Sequence, residues 1–186
     1  MYMKKFEFTG ETKILSNGTI LHRIKALVEI KLDYFIVAKA GDLGGWIEKE
    51  ENLSQVDNAW VYGDAIVRGN ARVCGNAEVY GGAEVCGDAK IYGDAEVCGD
   101  SYVRKSEHCF VIGPIGSRND YITFTRNKDG EIKVKCGCFF GNIRKFLDKV
   151  EKTHGDSKYG NVYRLAVQVA LERIDTEPIE ECVAYI

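Results

Sequence analysis

Three short stretches in the second half of the chain carry side chains suited to chemistry: GPIGSRND at 113–120, CGCF at 136–139 and HGDSKYG at 154–160. In the first, Gly116, Ser117, Arg118, Asn119 and Asp120 set backbone N–H groups beside a guanidinium, a composition able to cradle an anion. No Gly-Lys-Ser/Thr follows, so it is not a P-loop, and a plain turn is the competing reading. In the second, Cys136 and Cys138 fall on one side of a strand. With His154 and either Cys109 or Cys182 they form a candidate zinc set, although C-x-C is not a usual finger spacing. Buried thiols are the plainer account, and a cysteine nucleophile served by His154 is the enzymatic one. Tyr159 and Tyr163 follow His154 and complete the candidate ligand-binding set. The remaining histidines are His22 and His108, and His108 is the one candidate general base near the repeats described below.

Composition narrows the setting. The 186 residues are 45% apolar and 28% charged with net charge −3, an ordinary globular balance that makes nucleic acid an unlikely partner by default. No stretch approaches the ~20 apolar residues of a membrane span, and the opening MYMKKFEFTGE lacks an apolar signal segment, so a cytoplasmic location is expected. Seven cysteines, an odd number, fit free thiols in a reducing compartment better than a disulfide framework.

The elements that must hold these residues are legible on both sides of them. YITFTRNKDGEIKVKCGCFF alternates around Lys128-Asp129-Gly130 and reads as a hairpin. From Asn142 the apolar residues Ile143, Phe146, Leu147 and Val150 follow helical spacing, closing near His154-Gly155, and a second helix is expected over about 158 to 174. Residues 106–186 thus form a β-hairpin plus two-helix unit with an acidic tail around Pro178. Residues 1–38 read as a small antiparallel sheet, with Asn17-Gly18 as a strong hairpin turn.

Between these regions the chain repeats itself. Eight hexads run from NAWVYG (58–63) to the degraded DSYVRK (100–105), most of them Gly-closed with Asp or Asn, Ala, a variable residue and Val or Ile. Ala and Val, two apart in extended chain, share one side, and Gly followed by Asp, Asn or Gly turns the corner. A strand and a corner every six residues describes a triangular coil, three hexads to a turn. Residues 18 apart then stack, giving inner columns Val61/Val79/Val97, Val67/Val85/Val103 and Val73/Ile91. Cys74, Cys86 and Cys98, 12 apart, fall on three different faces and cannot share a metal. Outward-facing Trp60, Tyr62 and Tyr80 on one face, with Tyr92 on another, are candidate subunit-interface residues, cross-strand stacking being the plainer reading. Residues 39–57 look like an irregular first coil in which Trp46, Ile47 and Leu53 cover the open end of the ladder.

The hexads resemble the hexapeptide repeat of left-handed parallel β-helix proteins, and the left hand is implied by that resemblance, since general crossover rules favour the right. Gly-Gly-Trp-Ile-Glu (44–48), then Glu-Asn-Leu-Ser-Gln (51–55) and hexads, is similar to the opening of bacterial and prophage hexapeptide-repeat proteins often labelled transferases, over about residues 22 to 105. The segment from Gly113 to Tyr163 resembles a C-terminal domain of phage and prophage proteins. The resemblance implies a mainly β fold: a short β-helix over 39–105, an N-terminal β-hairpin region capping one end and a C-terminal α+β unit the other. It implies a homotrimer and a non-catalytic binding protein for a host protein or a small anionic, nucleotide-like ligand, acting against host defence. The alternatives are an acyl-CoA-dependent acyltransferase using His108, for which acyl-CoA would be the cofactor, and a purely structural coil. Residues 58–105 contain no histidine, whereas acyltransferases and zinc carbonic anhydrases of this fold rely on them.

Overall fold

Each hexad bends into a two-residue strand, followed in all but the last by a glycine corner. The computed structural model describes residues 4–32 and 35–177; the acidic tail around Pro178, with Cys182, lies outside the described residues. In chain order the strands are β1 (Phe6–Ile14), β2 (Ile20–Ala26), β3 (Ile30–Leu32), β4 (Phe35–Ala38) and β5 (Leu43–Ile47). The hexads supply β6 (Trp60–Val61), β7 (Ile66–Val67), β8 (Arg72–Val73), β9 (Glu78–Val79), β10 (Glu84–Val85), β11 (Lys90–Ile91), β12 (Glu96–Val97) and β13 (Tyr102–Val103). They wind a parallel β-solenoid of about three turns.

The predicted stacking is realised rung by rung. Val61 lies beside Val79 and Val79 beside Val97, Val67 beside Val85 and Val85 beside Val103, and Val73 beside Ile91. All are buried with the alanines between them, so the interior is a dry Val/Ala ladder. Successive coils are joined by bonds such as Trp60 N–H to Ala77 C=O and Glu78 N–H to Ala95 C=O. The corners need positive φ and close approach together: Gly75 (φ 75) stacks on Gly93 (φ 68), and a Cβ on Gly75 would lie 3.0 Å from the Gly93 nitrogen. The first positions of the hexads stack as well, Asn58 onto Asn76, Asn76 onto Asp94 and Asn70 onto Asp88, each through a side-chain amide donor.

Two expectations for the N-terminal part change. β1 and β2 pair antiparallel, but β2 also pairs with β5, which runs parallel beside β7, so this hairpin continues one wall of the solenoid instead of forming its own sheet. β3 and β4 make a separate two-stranded sheet. In the irregular first coil Ile47 and Leu53 extend the inner columns onto Val67 and Val73. Trp46, one residue off in the alternation, is outside that apolar cluster; its ring lies under Arg23, at 5.1 Å, and Lys13, at 5.9 Å.

After the last hexad the period switches to long antiparallel strands: β14 (Cys109–Ile115), β15 (Asp120–Arg126), β16 (Ile132–Cys136) and β17 (Phe139–Asn142), in that sheet order. Helices α1 (Ile143–His154) and α2 (Lys158–Arg173) follow, begun by Asn142 Oδ1 accepting from Lys145 N–H and Ser157 Oγ accepting from Gly160 N–H. The strict alternation of YITFTR and EIKVKC makes this sheet two-sided. Ile122, Phe124, Ile132 and Val134 pack with Phe146, Val150, Tyr163 and Ala166 of the helices in a second core. The opposite face meets the last coil: Thr123 Oγ1 accepts the Glu96 N–H at 2.9 Å, the hydroxyls of Thr125 and Ser101 are 2.7 Å apart, and Lys133 and Lys135 pair with Asp100 and Glu96 at 3.0 and 2.9 Å. Glu96 belongs to the last strand of its wall, so its N–H has no further strand to meet, and Thr123 satisfies it.

Candidate functional site

On the helix side of the C-terminal sheet, two turns and two helices enclose a cleft of about 180 Å³. One wall is the turn between β14 and β15. The expected eight-residue loop is shorter than its sequence suggested, because 113–115 complete β14 and Asp120 opens β15. Gly116 (φ 75) begins the turn, where a Cβ would run into the Tyr163 hydroxyl, and Asn119 (φ 53) closes it by donating its N–H to the Gly116 carbonyl. Ser117, Arg118 and Asp120 face the cleft.

The second wall is the Cys136-Gly137-Cys138-Phe139 turn between β16 and β17. Charged side chains flank it on both sides. The Arg118 Nη1 lies so near that a Cβ on Gly137 would come within 2.9 Å of it, and Lys135 Nζ donates to the Gly137 carbonyl while paired with Glu96 of the solenoid. The third wall is one face of α1, where Phe146, Lys149, Val150, Thr153 and His154 recur at helical spacing. Tyr163 of α2 closes the back. Rings run in series along the floor, Phe139 to Phe146 at 5.5 Å, Phe146 to Tyr163 at 5.8 Å and Tyr163 to His154 at 5.4 Å. Lys149 Nζ sits 5.5 Å from the centre of the Phe139 ring.

The electrostatics of this cleft differ from those of the adjoining surface. Beside it Arg164 takes Glu151 and Asp156, and on the other face of the sheet Lys133 takes Asp100 and Glu131. Arg118 and Lys149 make no ion pair among the described residues, so two cations line the cleft against one carboxylate, Asp120. Burial, and then the Asp120 charge, push the Cys136 thiol up, which keeps it protonated near neutral pH and unlike an activated nucleophile.

The structure therefore gathers Ser117, Arg118, Asp120, Cys136, Cys138, His154 and Tyr163 around one space. Gly116 shapes it from beside Tyr163. Asn119 and Tyr159 are exposed and do not line it; Tyr159 instead packs edge-on to His154 at 6.2 Å with Lys158 over its ring. Sequence reading passed over Lys149, Thr153 and the cleft-lining role of Phe139 and Phe146. Counting three and four residues on from Phe146 places Lys149, Val150, Thr153 and His154 on one helix face, a signal that was present.

The other candidate sites are placed as follows. Among the described residues no three His, Cys, Asp or Glu side chains converge as a metal site. Cys109 packs against the solenoid core, on the opposite face of the sheet from Cys136, and so cannot join Cys138 and His154; Cys182 lies outside the described residues. His108 is only 2% exposed, its Nδ1 accepts the Arg104 N–H at 3.2 Å and its Nε2 lies 3.8 Å from an Asp175 oxygen, which leaves it no open face for a substrate. Trp60 is buried inside the chain, edge-on to Phe6 at 6.4 Å, and is not part of the surface. Tyr62 and Tyr80 stack at 4.9 Å and donate their hydroxyls to Glu78 and Glu96, both at 2.9 Å, while Tyr92 is exposed on a different wall. No helix among the described residues is long and apolar enough to cross a membrane.

Fold and cleft together define the class: a β-solenoid protein bearing an α+β unit with a cationic, ring-floored cleft. The chain matches no protein-family model, and no curated protein is detectably similar to it.

Proposed function

We propose that this is a binding protein in which the solenoid is a rigid support and the C-terminal cleft takes a small anionic ligand. The observation that carries the reading is the meeting of the 116–120 turn, the Cys136–Cys138 turn and the His154 end of α1 around one space, with two cations that make no ion pair among the described residues. A guanidinium and an ammonium facing a half-open cleft are the donors an anionic group needs. In the same reading the coil winds left-handed as hexapeptide repeats do, and the β1–β2 hairpin caps its first turn. The chain is then a phage- or prophage-type protein of the bacterial cytoplasm that counters host defence by holding a nucleotide-like ligand. Walls bearing Tyr62, Tyr80 and Tyr92 associate three copies, and a host protein docking on the same body is the alternative partner.

Titration calorimetry with phosphate, nucleotides and acyl-CoA tests this. Arg118→Ala, on an exposed side chain, is expected to weaken anion binding about tenfold or more, the loss of one charge-assisted contact, while leaving the melting temperature unchanged. Anions that bind wild type and Arg118→Ala equally would end the assignment of the cleft. Protection by acyl-CoA in place of simpler anions would revive the transferase reading.

A further inference from the structure

The shape and charge of the cleft also select among anions, an inference that rests on the reading just given. We propose that the cleft takes one flat aromatic ring carrying a single phosphate or carboxylate, up to the size of a nucleoside monophosphate. Three observations converge on this class.

The charge is limited. Arg118 and Lys149 against Asp120 leave an excess of about one positive charge, which balances a carboxylate and more than half of the ~−1.5 to −2 of a phosphate monoester. A triphosphate would bring more negative charge than the site neutralises, and desolvating the remainder is costly. The floor is aromatic. Phe139, Phe146 and Tyr163 stand 5.5 and 5.8 Å apart, within the ~4.5–7 Å range in which ring pairs attract, so an incoming ring continues an existing series. The space is small. About 180 Å³ lies below the ~300–1,000 Å³ of pockets that engulf drug-sized ligands, leaving room for one ring system and its anionic group and none for a second nucleotide. Asp120, on the same turn as Arg118, already accepts the Tyr121 N–H on Oδ1 at 2.8 Å, and its other oxygen is left to accept an N–H or O–H from the ring or its sugar.

The test is calorimetry on the full chain with four probes: AMP, phenyl phosphate, inorganic phosphate and ATP. AMP and phenyl phosphate are expected to bind at least tenfold more tightly than either of the others. Whichever of the two is tighter identifies the source, a nucleoside or a simple aryl acid, and either order supports the proposal. Phe139→Leu should remove most of the advantage of the ring while sparing the weak binding of phosphate. Because Phe139 is half-buried, Lys149→Gln on an exposed side chain serves as the second variant, with about tenfold weaker AMP binding at an unchanged melting temperature. Phosphate equal to AMP, or ATP tighter than AMP, would overturn the inference while leaving an anion site standing. No binding of any probe would remove both the inference and the reading beneath it.

Discussion

His108 is held almost without solvent contact, and burial, followed by the nearby Arg126 charge, lowers its pKa below the ordinary 6.5. The folded protein thus resists protonating this ring while the unfolded chain does not. Between the unfolded value and the lower folded one, the unfolded state binds more protons, so stability falls as pH drops below about 6.5. Glu78, whose carboxyl is raised chiefly by burial, acts in the opposite sense at lower pH, because its protonation relieves a buried charge. The prediction is therefore a difference: from pH 7.5 to 5.5 wild type should lose more urea resistance than His108→Asn, whose amide oxygen can still accept the Arg104 N–H. Parallel slopes for the two proteins would show that His108 titrates as it does in water. The same residue shows why a histidine near a repeat is weak information. Sequence gives its distance along the chain from the last hexad but not the side of the chain it faces, and here it faces inward.

The elements were the more legible scale. Hexads declare themselves because strand and corner alternate with no intervening loop, and Asn142 and Ser157 mark helix starts through side chains that satisfy free N–H groups. The outer face of the C-terminal sheet was not legible: Thr123, Thr125, Lys133 and Lys135 alternate as a solvated face would, yet they meet the last coil. Nor was the cleft, whose walls are separated by up to about forty residues of chain. One irregularity in the repeat has a clear account. Stacked first positions pair amide with amide or amide with carboxylate, and where Asp64 and Asp100 share a column the rung between them is Gly82. Asp100 has Lys133 for compensation, whereas Asp64 has no ion pair among the described residues. Gly82→Asp would set like charges on adjacent rungs at a cost of about 1 kcal/mol, which lowers the melting temperature by roughly 2–4 °C in a domain of this size. Both Gly82→Asp and Gly82→Asn bring a Cβ to 3.3 Å from the Gly99 carbonyl, so the comparison is between them: Gly82→Asn should melt above Gly82→Asp, and the gap between the two variants should narrow in high salt. Equal melting curves at low salt would mean the glycine has another purpose.

At the scale of the molecule, two apolar cores lie on either side of one sheet, the solenoid interior and the sheet–helix layer, and polar contacts join them. Arg126, fully buried at the end of β15, draws the chain beyond α2 back onto this junction by donating to the carbonyls of Asp175 and Glu177 at 3.1 and 2.6 Å. Thr123, Thr125, Lys133 and Lys135 fix the C-terminal unit to the last coil, and the β1–β2 hairpin is joined to the first through β5 and β7. Between those two attachments the rungs are interchangeable, which makes reach and heading separately adjustable. A copy of residues 70–87 inserted after Gly87 adds one whole turn, about 4.8 Å of length, with the cleft pointing as before. A copy of 82–87 alone adds one side of the triangle and swings the cleft by a third of a revolution relative to the hairpin. Distances between spin labels at Asn17→Cys and Cys138 should separate these outcomes, the longer insert giving a small extension and the shorter one a change of direction. A family of such proteins could aim the same cleft at differently placed targets by gaining or losing single hexads, without altering one residue of the site.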